Sequence, residues 1–413
     1  MGGALRRMAP AAGRVAGGLL GAVLGGALAS GLACNKAERP DLVNDLHKPK
    51  PEPEQPSLVD DQPLRPDLLS PCGASTVELE FLRPNLYFAI DASASMLDEI
   101  PLGEEPQSTG AVFSPGDRYD ALALAIQKLL ERVGHRVNYG ATLFPTQDVS
   151  CDSGQEILPL SAGDAVSFAV SGKIGPVLNE LMFEIERRTP RGGTPVAATL
   201  RGLLPKLRGR GDQTYVFLMT DGGPNCNGRA QCGPESCIPN LDHALLAENV
   251  YCEAPINCCE PQLFGPENCL DADGSLLAVN ALAQAGVRTF VIGIPGSDAF
   301  GDLLDQLALA GGMPRAGSPS YYRVGDADEL VDTVSKLGLG VALSCSLQLK
   351  EPAPDPSLVN VFFDGQLVPA DPVNGWGFVD ARTVQLLGSS CDLLKTGEVL
   401  QADIVAGCPV VIR

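Results

Sequence analysis

From about residue 77 onward, short apolar runs alternate with stretches of helical spacing, and this alternation constrains the fold more than any other feature of the chain. Leu86 to Ile90 is one such run and it stops at Asp91; Tyr215 to Thr220 is another and it stops at Asp221. Runs without an alternating polar side are the pattern of strands covered on both faces. Residues 119–133 place Leu122, Leu124, Ile126, Leu129, Leu130 and Val133 at largely helical spacing. The same reasoning predicts helices at 176–187, 194–207, 275–284, 300–309 and 326–337, with Pro205 interrupting the second. It predicts strands at 138–144, 287–294 and 321–324, and a short edge strand at 156–160. Such alternation implies an α/β fold, a doubly wound, mostly parallel sheet with helices on both faces. Right-handed crossovers gather the C-terminal strand ends on one edge, where these sheets bind ligands. Asp91 and Asp221 both fall on that edge.

The flanking regions have a different texture. Residues 341–413 read as a small β-rich appendage, with short strands at 341–349, 359–363, 377–379, 383–387 and 402–406 and a hairpin turn at Asp364-Gly365. Residues 1–33 read as a signal peptide: Arg6, Arg7 and Arg14 precede or open a Gly/Ala/Leu/Val run at 15–29 that is too short for a comfortable membrane span. That run leads into Ser30-Gly31-Leu32-Ala33-Cys34, which resembles a bacterial lipobox and makes Cys34 the expected site of lipidation. Gly31 stands where the motif usually has leucine, and Leu32 is one place late. Ordinary cleavage after Ala33 and an N-terminal anchor that is never cut are the alternatives. Residues 34–76 form a Pro-rich spacer, whose Lys48–Glu54 stretch excludes a helix or a central strand. Asn35 is not the Asp-type signal for inner-membrane retention. The expected location is therefore the outer membrane of a bacterial envelope, with the domain facing the periplasm or the exterior; secretion is the alternative.

With 413 residues, 45% hydrophobic, the chain can bury one large domain and a smaller one. A formal net charge of -20 leaves no basic footprint for nucleic acid. The 13 cysteines suit an oxidising compartment, and a lipidated Cys34 would leave an even number to pair. Seven of them, Cys226, Cys232, Cys237, Cys252, Cys258, Cys259 and Cys269, lie in an insertion at 222–274 within the domain at 77–340. No C-x2-C pair occurs there, so disulfides are favoured over zinc. An odd number needs a partner outside the insertion, and Cys151, on the same upper edge, is the leading one. Cys72 and Cys345 are both expected near the lower edge and would pair, leaving Cys391 for Cys408.

The residues that carry chemistry stand at the strand ends. Asp91-Ala92-Ser93-Ala94-Ser95 is a D-x-S-x-S segment, Arg191-Gly192-Gly193-Thr194-Pro195 puts a threonine on a glycine-rich loop before a helix, and Thr220-Asp221-Gly222 supplies a second aspartate. In this order, over roughly residues 83–338, the chain resembles the von Willebrand factor A and integrin inserted-domain family, and exported bacterial lipoproteins that carry that domain. The resemblance implies that Asp91, Ser93, Ser95, Thr194 and Asp221 form a metal-ion-dependent adhesion site holding Mg2+, or Mn2+ or Ca2+. A hard divalent ion prefers oxygen ligands. Ser93, Ser95 and Thr194 offer neutral oxygens, and in the family the aspartates act mostly through water. The ion's charge is then under-compensated, and it takes a carboxylate from a protein partner. Asp98 and Glu99 stand at the spacing where the resemblance to integrin β chains implies acidic ligands for an adjacent second ion, but they read as a solvated acidic loop.

An enzyme is not expected. His47, His135 and His243 belong to no H-E-x-x-H motif and read as solvated, and no G-x-S-x-G elbow appears. An aspartyl phosphotransferase would need aspartate where Ser93 stands. The expected function is an exported, lipid-anchored binding or adhesion module. The alternatives are an envelope assembly scaffold, with Glu235, Glu248, Glu253, Glu260 or Glu267 of the insertion filling the ion's open position, and a metal-assisted hydrolase.

Overall fold

The computed structural model describes residues 75–80, 83–101, 116–146, 151–210 and 213–411. The leader, Cys34, Cys72 and nearly all of the spacer lie outside the described residues. Among those described, no helix is long and apolar enough to cross a membrane.

The chain opens with β1 (Ser75–Val77) and β2 (Leu79–Glu80), then β3 (Asn85–Asp91), α1 (Arg118–Val133), β4 (Asn138–Phe144) and β5 (Gln155–Ala162). It continues through α2 (Val166–Val170), α3 (Pro176–Glu186), α4 (Val196–Leu207) and β6 (Thr214–Thr220). The insertion contributes α5 (Ile238–Leu241), β7 (Leu245–Ala247) and β8 (Val250–Tyr251). There follow α6 (Ala272–Gln284), β9 (Val287–Gly293), α7 (Gly301–Ala310), β10 (Tyr322–Arg323) and α8 (Ala327–Ala342). The last part holds β11 (Ser346–Leu349), β12 (Val359–Phe363), β13 (Gln366–Val368), β14 (Trp376–Asp380), β15 (Thr383–Leu386), α9 (Ser389–Lys395) and β16 (Ala402–Ala406).

The central sheet has six strands in the order β10-β9-β6-β3-β4-β5. All neighbours are parallel except β5, which runs antiparallel to β4 at the edge. This is the doubly wound α/β architecture expected from the sequence. Every residue of β3 and β6 is buried, because helices cover both faces. Leu86, Phe88 and Ile90 point to one side, with Phe217, Met219 and the apolar stripes of α1, α3 and α8. Tyr87 and Ala89 point to the other, with Val216, Leu218 and the stripes of α4, α6 and α7. Burying each such large side chain contributes about 1.5–3 kcal/mol. Asp117 and Asp326 cap α1 and α8, each carboxylate accepting an N–H three residues on at 2.8 Å. Pro205 is accommodated in the last turn of α4, which ends at Leu207.

The C-terminal region is β-rich, as expected, but it recruits the start of the described chain. Two four-stranded sheets, β1-β16-β12-β13 and β14-β15-β11-β2, enclose a core that includes Leu349, Val361, Trp376, Val384 and Ile404. The boundary expected at residue 77 therefore runs through β1, and both β1 and β2 pair with C-terminal strands. The hairpin turn forms as expected, with Asp364 and Gly365 in the left-handed region (φ 47° and 79°) between β12 and β13. Helix α9 was not expected. Arg136 Nη2 donates to the carbonyls of Val399 and Leu400 at 2.9 Å each, and His135 Nε2 lies 3.1 Å from the Leu400 carbonyl. His135 is thus a half-buried contact between the two parts, not the solvated residue its sequence context suggests.

Five disulfides are present among the described residues. Cys151–Cys226 joins the insertion to the β4–β5 connection, as expected. Cys232–Cys269, Cys237–Cys259 and Cys252–Cys258 staple the insertion internally. The pairing of Cys345 with Cys72, and of Cys391 with Cys408, is corrected: Cys345 is bonded to Cys391. The unexpected helix α9 carries Cys391 beside the start of β11, with Cα atoms 5.3 Å apart.

Candidate metal centre

Parallel pairing sets the site. In the β3–β6 register Ile90 lies opposite Met219, so the next residues along, Asp91 and Thr220, end their strands together on the upper edge of the sheet. Thr220 Oγ1 donates to Asp91 Oδ2 at 2.5 Å, and the Ser93 N–H donates to Asp91 Oδ1 at 2.8 Å. The turn after β3 is pinned on two sides. The Ala92 N–H donates to the Phe144 carbonyl at 2.7 Å and the Ala94 N–H to the Gly192 carbonyl at 3.1 Å, while Arg191 N–H returns to the Ala92 carbonyl at 2.8 Å. These bonds hold the D-x-S-x-S turn against the glycine-rich loop.

The five expected residues are brought together. Ser95 Oγ donates to Asp221 Oδ1 at 2.9 Å and lies 3.2 Å from Ser93 Oγ. Thr194 faces the same place: a methyl group on Gly222 would stand 3.6 Å from Thr194 Oγ1 and 3.8 Å from Ser95 Oγ. Asp91, Ser93, Thr194 and Asp221 are buried, and Ser95 is half-buried at the rim.

Burial dominates the electrostatics. It raises the pKa of Asp91, and repulsion from Asp221 adds to the rise. Asp221 is raised by burial too, but there the Arg118 guanidinium opposes the shift. Among the described residues, the hydrogen-bond partners of Asp91 are the neutral Thr220 and Ser93. Two buried carboxylates with one guanidinium between them, on Asp221, leave Asp91 without a charged partner among the described residues, which fits a cation, since an unpaired buried charge is costly. The donor set is all oxygen and three of its five members are hydroxyls, which suits a hard divalent ion.

Two neighbours of the site escaped the sequence reading. Arg118 Nη1 reaches Asp221 Oδ2 at 2.6 Å, Asp98 Oδ2 at 3.2 Å and the Ser95 carbonyl at 3.3 Å. Asp98 is exposed, as a solvated loop residue is expected to be, and it also pairs with Arg118. The legible signal for Arg118 was its position: a cation in the first turn of a helix opposes the helix dipole and needs a local carboxylate. The other is Asp242, just past α5. Its side chain is exposed, yet desolvation raises its pKa, and the negative charges of Asp221 and Asp98 raise it further.

No known sequence family matches the chain, and no curated protein does. Solved structures are similar to the chain only at a distance. The pilus adhesin SpaC from Lactobacillus rhamnosus GG, in its open conformation, is 13% identical with a TM-score of 0.43; the match covers 80% of this chain and 39% of the adhesin. This chain thus spans about two fifths of that protein's length. The vWF domain of the type V pili tip protein Mfa5 from Porphyromonas gingivalis is 12% identical with a TM-score of 0.36, covering 65% of this chain and 98% of its own. Manganese-loaded TRAP protein from Plasmodium vivax is 15% identical with a TM-score of 0.35, covering 76% and 97%. At such distances the likeness assigns neither an ion nor a partner to this chain.

Proposed function

We propose that this chain is an exported, lipid-anchored binding module, not an enzyme. In this reading Asp91, Ser93, Ser95, Thr194 and Asp221 hold a divalent ion, Mg2+ or Mn2+, and the site captures an acidic side chain of a protein partner. The ion supplies an open coordination position and positive charge. The chain's own residues supply the rest. Asp91 and Asp221 hold negative charge at fixed strand ends, the three hydroxyls face inward, and Arg118 keeps Asp221 and Asp98 in place. The observation that carries the proposal is the convergence of two buried strand-end carboxylates, one of them with only neutral described partners. Cys34 would tether the module to the outer membrane, and the Pro-rich spacer would hold it clear of the lipid.

A second reading, the scaffold whose site is filled from within, draws on Asp242, an acid of the insertion whose pKa is raised by burial and, further, by the charges of Asp221 and Asp98. One experiment addresses both readings. Mn2+ is titrated into the full chain, and water-proton relaxation then reports how many water molecules exchange on the bound ion. Saturable binding, lost in Asp91→Ala, is expected. Equal uptake by Asp91→Ala overturns the assignment of the site. If Asp242→Asn binds as wild type does but shows higher relaxivity, the internal ligand is Asp242 and the scaffold reading stands; unchanged relaxivity leaves the open position to a partner.

A further inference from the structure

The first residues of the insertion hold the loop that carries Thr194. Asn225 Oδ1 accepts the Thr194 N–H at 2.7 Å, and the Asn225 N–H donates to the Thr194 carbonyl at 2.9 Å. Asn225 is buried. Its neighbour Cys226 sits in the left-handed region at φ 74°, which residues other than glycine adopt at a cost, and is bonded to Cys151 from the β4–β5 connection. Both residues press on Gly193. A methyl group there would stand 2.7 Å from Cys226 Sγ and 2.8 Å from Asn225 Oδ1, so no larger residue fits without displacing the clamp. The base of the insertion is closed behind them, with the Cys226 N–H on the Glu267 carbonyl and the Asp271 N–H on the Pro224 carbonyl, each at 2.7 Å.

The glycine-rich loop needs such support. Gly192 is at φ 86°, and the loop's two glycines carry no side chain that could anchor it. Its described backbone ties are the bonds to Ala92 and Ala94 before Thr194 and, at Thr194 itself, the pair to Asn225 and a bond from the Val196 N–H to the Thr194 carbonyl at 2.8 Å. An oxygen ligand must be placed to within a fraction of an ångström to serve a small hard cation, and the groups that orient ligands control affinity nearly as much as the ligands do.

We propose that Asn225 is a positioning residue for Thr194, and that the Cys151–Cys226 disulfide keeps Asn225 in place, so that ion affinity depends on a covalent link outside the ligand set. The proposal rests on the metal reading above. The Cys-rich insertion then has a role at the site through its root, whatever its distal surface binds.

The test uses the full chain and Mn2+ alone, by calorimetric titration, with electron paramagnetic resonance of the bound ion. Asn225→Leu removes the acceptor at nearly constant volume, Asn225→Asp keeps it, and the paired Cys151→Ser and Cys226→Ser change removes the link. Asn225→Leu and the serine pair are expected to weaken Mn2+ binding by about 10- to 100-fold. Asn225→Asp should stay within about threefold of wild type, with an unchanged resonance spectrum. Wild-type affinity in Asn225→Leu overturns the proposal, as does an equal loss in Asn225→Asp, which would mark a merely structural role. A wild-type chain that takes up no Mn2+ overturns the metal reading, and this proposal with it. Near-UV circular dichroism identifies a variant that has not folded; if the serine pair is one, the two Asn225 variants decide.

Discussion

The central sheet and the insertion that rises from it are held together by different physics. The sheet buries aromatic and aliphatic residues in two layers, with Phe88, Phe217 and Phe290 in ring contact at centroid distances of 5.0–5.5 Å. The insertion buries cysteines: Cys237, Cys252, Cys258, Cys259 and Cys269 form its interior, and Asn240 bridges it through bonds to the Cys258 N–H and the Ile256 carbonyl. Six of its larger apolar residues, Leu245, Val250, Tyr251, Ile256, Leu263 and Phe264, are exposed, while Leu246 packs partly against the cysteines. A segment of this size has too much surface for its volume to stand on burial alone, and cross-links take the place of a core.

That contrast can be broken most directly at Phe217. Phe217→Ala should cost about 3–5 kcal/mol, read as a lower midpoint in urea denaturation of the disulfide-intact chain, because its cavity opens between two rings. A loss below about 1 kcal/mol would mean that the sheet does not depend on this layer. Removing Cys237–Cys259 should cost the insertion about 2–4 kcal/mol of local stability. Hydrogen exchange should then rise across residues 227–270 while β3, β6 and β9 stay protected; equal deprotection of the sheet would show that the two regions unfold as one.

The C-terminal sandwich offers an intermediate case, joined to the sheet domain partly through polar contacts. Burial, and then the neighbouring Arg136, lower the pKa of His135 to about 4; Arg83 acts in the same direction, while the Leu400 carbonyl and Asp364 oppose it. The folded chain therefore keeps this imidazole neutral where the unfolded chain protonates it. Stability should be full above about pH 6.5 and should fall as pH drops towards 4, by about 2 kcal/mol after allowance for partial exposure. His135→Gln should flatten that part of the pH profile of the urea midpoint; an unaltered slope would assign it to other groups. The smallest effect is expected at Tyr251, whose side chain is exposed on β8. Tyr251→Ser should leave stability within about 0.5 kcal/mol by the same assay, and a larger loss would reveal an apolar contribution that the insertion is not expected to have.

The parts that the sequence made legible are those whose causes are local. β3 and β6 are uninterrupted apolar runs because both faces are covered, and parallel pairing then puts Asp91 beside Thr220 and Asp221 without further information. The pairing of Cys151 with the insertion followed from the same edge argument. The misses depend on distant partners. β1 and β2 are three and two residues long, too short to show a period, and they pair with strands more than 260 residues away. Cys391 rides on α9, whose seven residues span barely two turns, so its bond to Cys345 had no signature in the spacing. Asp242 lies in an insertion whose path is set by cross-links, and spacing alone does not reveal where such a path runs.

Because β1 and β2 lie in the C-terminal sandwich, a pull on the chain ahead of Ser75 that is resisted at Asp91 has a defined load path. It meets two very short strands first and then β3, which is flanked by β4 and β6 in parallel along nearly its whole length. Tension along β3 loads those ladders in shear, many bonds at once, whereas β1 and β2 have few bonds to share it. The sandwich would thus yield before the strand that ends in the carboxylate, lengthening the chain under strain while the upper edge keeps its shape.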